Sequence, residues 1–143
     1  MGAGKTTVGR ILAHRWGVPF VDLDGLVGDV LAIFGAEGEA GFRHRERGAL
    51  GAAVAGHGVL ALGGGTLVDP INRDLLAGWR VVVLMGGAST LRARIGDLPG
   101  RPLAAQLESL LAARRAVYDA AGPQVGTDGL EAEEVADRVE ALC

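Results

Sequence analysis

Six residues near the start of the chain, Gly2-Ala3-Gly4-Lys5-Thr6-Thr7, constrain the fold more than any other stretch. They run directly into an apolar helical pattern carried by Val8, Ile11 and Leu12. The segment matches the last part of the phosphate-binding loop motif G-x-x-x-x-G-K-[ST]. Glycines there let backbone N–H groups approach phosphate oxygens, and the helix start adds partial positive charge. Lys5 supplies a full charge for the β- and γ-phosphates, and the Thr6 hydroxyl is a ligand type for Mg²⁺. Gly2, Ala3, Gly4, Lys5, Thr6 and Thr7 therefore form a candidate nucleotide-phosphate site. The motif's first glycine and the strand that feeds it would lie ahead of Met1, so the natural start is expected upstream.

With 143 residues, 49% apolar and 22% charged, the chain has the size and composition of one globular domain with a real core. Aromatics make up only 4%, so the core is built mainly from Leu, Val, Ala and Ile. A net charge of −3 gives no electrostatic case for nucleic acid or an anionic membrane surface as partner. No apolar run approaches the roughly 18 residues of a membrane-spanning helix, and no signal-peptide pattern opens the chain. The single cysteine, Cys143, excludes an intramolecular disulfide and fits a reducing compartment, so a cytoplasmic protein is expected.

Strand and helix signals alternate along the chain. A helix over 4–16 should stop at Gly17, and the apolar run 18–21 reads as a strand leading into Asp22-Leu23-Asp24. A weak helix over 25–33 is expected to end in a turn at Gly35, with a longer helix from 37 to about 55. The strand 59–62 runs into Gly63-Gly64-Gly65, and Asp69-Pro70 looks like an N-cap followed by a first-turn proline, opening a helix to about 77. A strand over 81–84, a helix from Ser89, an irregular loop at 98–102, a long helix over 103–121, a weak strand at 124–126 and a helix over 130–142 complete the pattern. The strands are continuous apolar runs rather than alternating ones, which implies a parallel sheet covered by helices on both faces.

In such sheets ligands bind beyond the carboxyl ends of the strands. Parallel strands would bring Lys5 and Thr6, the Asp22/Asp24 pair and Gly63-Gly64-Gly65 to one edge. Strand alternation would point Asp22 and Asp24 the same way, suggesting one carboxylate near Mg²⁺ and one near an acceptor hydroxyl. The structural alternative makes Asp24 the N-cap of the next helix. The three glycines offer bare backbone to a small polar substrate, or simply a flexible turn. Arg43 and Glu46 lie one helical turn apart, so Glu46 could hold the guanidinium, whereas His44 and Arg45 read as a solvated face. Arg101, between glycine and proline, suits a lid reaching the transferring phosphates. Pattern alone leaves Arg114 and Arg115 ambiguous and gives His14, His57 and the tryptophans no role beyond surface or packing.

With these segments in order, the chain resembles the shikimate kinase family. The resemblance rests on residues 1–10 (MGAGKTTVGR), 19–24 (PFVDLD), 33–46 (IFGAEGEAGFRHRE), 60–66 (LALGGGT), 101–103 (RPL) and 114–118 (RRAVY). It implies a three-layer α/β P-loop kinase fold with a parallel sheet of order 2-3-1-4-5, whose central first strand is missing from this chain. It implies one domain over 1–143, with a substrate-binding segment at about 24–56 and a lid at about 97–106. The implied activity is transfer of the ATP γ-phosphate to the 3-hydroxyl of shikimate, with Mg²⁺, in a cytoplasmic monomer that binds neither nucleic acid nor membrane.

The same resemblance assigns roles. Lys5 and the amides of Gly2 to Thr7 hold the phosphates, and Thr6 binds Mg²⁺ with Asp22 in its outer shell. Asp24 is the candidate base, and Arg43 and Arg114 hold the substrate carboxylate, with Glu46 orienting Arg43. Gly63, Gly64 and Gly65 line the substrate site, Arg101 is the lid arginine, and Arg94 packs on adenine. The segments between Asp24 and Ile33 and between Arg101 and Arg114 look short for the family, and Ala132 stands about where an adenine-side proline is expected. Two other readings are carried forward. One is a degenerate binding module without turnover, which the intact Lys5, Asp24, Arg43, Arg101 and Arg114 oppose. The other is a different small-molecule P-loop kinase such as gluconate kinase, which the Arg43/Arg114 pair and the triple glycine oppose.

Overall fold

The structure, a computed structural model, describes residues 2–95 and 107–143. They fall into two compact units, one formed by Met1–Val8 with Arg80–Cys143 and one by Gly9–Trp79. Arg101, the lid at about 97–106 and the loop at 98–102 lie outside the described residues.

Helix α1 (Lys5–Trp16) begins in the first unit and runs into the second. It stops where the sequence says it should. Gly17 takes φ 63, its N–H donates to the His14 carbonyl at 3.3 Å, and the Val18 N–H donates to Ala13 at 3.0 Å. This paired closure satisfies carbonyls that α1 leaves open, and glycine adopts its left-handed turn without a Cβ penalty.

In the second unit β1 (Phe20–Asp22) pairs in parallel with β2 (Val59–Ala61), in the register Phe20↔Val59, Val21↔Leu60, Asp22↔Ala61. That register sets the exits of both strands side by side. Helix α1 crosses β1 closely at Gly9, where a Cβ would lie 2.7 Å from the Phe20 ring. Two helices follow β1, α2 (Leu23–Val27) and α3 (Val30–Val54). Val27, Ile33 and Phe42 are buried together with Ala49 against them, so both halves of α3 and α2 share one apolar cluster. After β2 come a single 3-10 turn (Thr66–Val68) and α4 (Pro70–Leu75), capped by Asp69 as expected.

The break in α3 falls at Gly38, with φ 67 and ψ −171, and not at Gly35, which is helical. The kink lets Arg45 clasp Glu37, Nε to Oε2 at 3.0 Å and Nη2 to Oε1 at 2.5 Å, across a separation that a straight helix could not close. Arg45 is thus paired as well as solvated. A Cβ at Gly38 meets nothing within 4 Å, so the whole cost of replacing it is conformational. Gly38→Ala should destabilise by roughly 1–3 kcal/mol, read as a drop in the urea midpoint with unchanged slope. An unshifted midpoint would mean that the kink relaxes without cost.

In the first unit β3 (Val83–Met85) pairs in parallel with β4 (Gln124–Gly126), Val83↔Gln124 to Met85↔Gly126. Helices α5 (Ala88–Ile95), α6 (Leu107–Ala121) and α7 (Ala132–Glu140) surround them. Ala3, Leu91 and Leu107 are buried together, with Leu84 and Leu111 packed on them, so the glycine loop is anchored by its own alanine. The α7 start is closed by the Glu131 N–H donating to the Glu134 carboxylate at 2.9 Å.

The two pairs found, β1–β2 and β3–β4, are both parallel, and they correspond to pairs 2-3 and 4-5 of the order that the resemblance implies. Each described strand is therefore at an edge. Ala61, Val83 and Val125 are buried, while most other strand residues are half-buried, so the predicted burial on both faces is only partial.

Candidate active site

Two clusters gather the residues singled out in the sequence, one in each unit. In the second unit β1 ends at Asp22 and α2 begins at once, so strand alternation does not reach Asp24. The helix cap is Asp22, whose Oδ1 accepts the Asp24 N–H at 3.2 Å, and not Asp24 as the structural alternative had it. Asp24 sits exposed in the first turn, and its Oδ1 lies 2.7 Å from where a Cβ on Gly63 would stand. The same point is 3.0 Å from Glu46 Oε1 and 3.0 Å from Thr66 Oγ1. Three oxygens thus crowd the bare face of Gly63.

Arg43 and Glu46 meet as the one-turn spacing predicts, with Nη1 donating to Oε2 at 2.7 Å. The guanidinium also lies 3.7 Å from Glu39, stands over the Phe42 ring at 5.3 Å and packs on Gly65, where a Cβ would be 2.7 Å from Nη2. Side chains thus approach the bare faces of Gly63 and Gly65 so closely that a Cβ at either would displace them. Glu46 is only 1% exposed, and both its oxygens are engaged, Oε2 by Arg43 and Oε1 by the Thr66 hydroxyl at 2.8 Å. Burial of a carboxylate is tolerated when both its oxygens are hydrogen-bonded. Thr66 and Asn72, both fully buried, were not assigned any part by sequence reasoning. Thr66 had a weak signal, its place directly after the triple glycine, and Asn72 had none.

In the first unit Gly2 and Gly4 take φ 71 and φ 85, values that glycine alone adopts readily. The first helical bond of α1 runs from the Val8 N–H to the Gly4 carbonyl at 2.9 Å. The N–H groups of Lys5, Thr6 and Thr7 therefore precede the helical ladder and form the polar helix start to which anions bind. A cavity of about 310 Å³ is lined on one side by Ala3, Gly4, Thr7 and Val8, and on the other by Arg94, Thr127, Leu130, Glu131, Ala132 and Val135. Arg94 on α5 is tied to its wall by two bonds, to Thr127 Oγ1 at 3.0 Å and to the Thr127 carbonyl at 2.8 Å. Thr127 is itself buried and continues the strand pairing, its N–H donating to Met85 at 2.7 Å. Arg114 is half-buried on α6.

Of the residues that the resemblance assigns to Mg²⁺, Thr6 lies in the first unit and Asp22 in the second, and each carries a hard oxygen of the kind Mg²⁺ takes. Among the described residues no group of three His, Cys, Asp or Glu forms a protein cage.

Among the described residues the carboxyls of Glu37, Asp69, Asp119 and Asp128 are held below the usual carboxylate range. For Asp69 the main cause is the Arg47 guanidinium, and for Asp128 it is the Thr90 side chain, followed by the Gly87 N–H at 3.0 Å. A carboxyl with a lowered folded pKa stabilises fully above its unfolded value, near ~4, and loses that contribution as pH falls through the folded one. The Tm should therefore fall below pH ~4 more steeply in the wild type than in an Asp69→Asn, Asp128→Asn double variant. Equal acid sensitivity in the two proteins would refute this.

A family sequence profile described as "Shikimate kinase" matches residues 1–143. The chain belongs to the shikimate kinase family. A shikimate kinase of Frankia casuarinae is 47% identical over 98% of this chain and 68% of its own length. One of Streptomyces coelicolor is 46% identical over 94% and 86%, respectively. Among solved structures, shikimate kinase from Acinetobacter baumannii in complex with shikimate matches with a TM-score of 0.94 at 33% identity, covering 99% of this chain and 87% of that one. Shikimate kinase from Bacteroides thetaiotaomicron matches with a TM-score of 0.89 at 29% identity. The α/β arrangement of parallel strand pairs and helices is that of this family's P-loop fold. Among the described residues no helix is long and apolar enough to cross a membrane.

Proposed function

We propose that the chain transfers the γ-phosphate of ATP to the 3-hydroxyl of shikimate, a step of chorismate and aromatic amino acid synthesis. The observation that carries the reading is the cluster in Gly9–Trp79, where a guanidinium fixed by a buried carboxylate packs on Gly65 and a second, exposed carboxylate packs on Gly63 of the same glycine run. Such a site suits a small ligand bearing one carboxylate and several hydroxyls. Family membership and the shikimate complex of the Acinetobacter relative support it.

In this reading, as the family resemblance implies, the roles of Arg43 and Arg114 are to hold the shikimate carboxylate, and a guanidinium suits a carboxylate better than an ammonium group does. Gly63, Gly64 and Gly65 line the substrate site. Asp24 accepts a hydrogen bond from the 3-hydroxyl and takes its proton at a carboxylate oxygen. Phosphoryl transfer passes through a loose transition state, so that proton leaves late and positioning dominates. The amides of Gly2 to Thr7 and the Lys5 ammonium hold the ATP phosphates, Arg94 packs on adenine in the cavity it lines, and Arg101 balances charge on the transferring group. Mg²⁺, when bound, neutralises phosphate charge, and Thr6 would hold it with Asp22 in the outer shell. Residues 97–106 serve as lid and 24–56 as substrate-binding segment of one domain, in a cytoplasmic monomer.

The test is ADP release by the purified chain with and without shikimate, across a panel that includes gluconate. Turnover that depends on shikimate is expected. Equal ATP turnover without it would overturn the assignment, and calorimetric binding of shikimate with no turnover would establish the binding-module reading instead.

A further inference from the structure

Glu46 orients Arg43, but a carboxylate on a flexible stem can itself rotate, so something must fix Glu46. Its second oxygen, Oε1, accepts the Thr66 hydroxyl at 2.8 Å. Thr66 is fully buried and held at two further points. Its N–H donates to the Gly63 carbonyl at 3.3 Å, closing the glycine turn, and its own carbonyl accepts from Asn72 Nδ2 at 3.0 Å. Asn72 is also fully buried, and its Oδ1 has no hydrogen-bond partner among the described residues. A buried amide with one unpartnered end is destabilising in itself. Its Nδ2 bond ties α4 to the Thr66 carbonyl.

We propose that Thr66, anchored by Asn72, is a positioning residue for recognition of the substrate carboxylate. Its hydroxyl fixes the plane of the Glu46 carboxylate, and through it the plane of the Arg43 guanidinium. A bidentate pair needs both planes aligned, so a turned guanidinium loses affinity for a carboxylate more than for any other part of the ligand. The inference rests on the shikimate-phosphorylating reading above.

The experiment compares Thr66→Val, which keeps the shape and removes the hydroxyl, with Thr66→Ser, which keeps the hydroxyl. Thr66→Ala replaces the valine variant if the latter melts below assay temperature. The hydroxyl-less variant should raise the shikimate KM about tenfold with kcat and the ATP KM little changed, and serine should restore it to within about twofold. In an Arg43→Ala background the same change should add nothing further, because the path runs through Arg43. An unchanged shikimate KM, or an equal rise in the Arg43→Ala background, overturns the inference while leaving the function standing. A wild-type chain without shikimate-dependent turnover overturns both.

Discussion

Asp24→Asn lowers kcat for shikimate phosphorylation by about a hundredfold or more, while ATP binding is unchanged. The substitution keeps shape and removes only the charge and the proton-accepting oxygen. Asp24 sits exposed in the first turn of α2, where its own N–H, and not its side chain, completes the Asp22 cap, so capping does not depend on its carboxylate. The proposed role is to accept the hydroxyl proton. Because the transition state is loose, the effect belongs toward the lower end of what a general base contributes, about 10²–10⁴-fold. Nucleotide affinity, followed by titration with a fluorescent ATP analogue, is expected to match wild type. A kcat within about threefold of wild type would remove Asp24 from the chemistry.

Gly65→Ala raises the shikimate KM by about 10–100-fold with little change in Tm or in the ATP KM. Gly65 has φ −107 and ψ −3, which alanine can adopt, so the backbone does not oppose the change. The added methyl would stand 2.7 Å from Arg43 Nη2 and 2.9 Å from Nη1. The guanidinium is the far end of a flexible side chain and yields cheaply, but it yields away from the plane that Glu46 fixes. Misplacement by about 1 Å is enough to cost a clamp most of its advantage. Gly78→Ala, whose Cβ meets nothing within 4 Å, is the matched control and should be silent. A Gly65→Ala enzyme with wild-type shikimate KM would show that Arg43 is not held where the carboxylate binds.

Local signals read well wherever one residue decides the geometry. Gly17 ends α1, Asp69-Pro70 opens α4, and Arg43 finds Glu46 one turn on, all as the sequence implies. Signals failed where a distant partner decides. The apolar run 81–84 pairs only from Val83, because the ladder begins at the Pro123 carbonyl and its partner strand spans just Gln124–Gly126. The helix break moved from Gly35 to Gly38, and the Glu37–Arg45 clasp that the kink permits joins residues too far apart for any local pattern to link. Asp22 took the cap expected of Asp24 because pairing with β2 runs to Asp22 and α2 begins at the next residue. Thr66 and Asn72 stayed invisible for a different reason. Small polar residues after glycines look like turn material, and only burial against Glu46 distinguishes them.

The Arg43–Glu46 contact carries a consequence for how a ligand arrives. Within Gly9–Trp79 the formal charge of Arg43 is already matched by Glu46 at 2.7 Å and further offset by Glu39 at 3.7 Å, with Asp24 adding another negative group at Gly63 of the same glycine run. An approaching anion is therefore not drawn in by these residues from a distance. On the proposed reading they select a carboxylate by short-range donor alignment after encounter. Ionic strength should then act through them on the association rate only weakly, because screening weakens long-range fields far more than close, partly buried contacts.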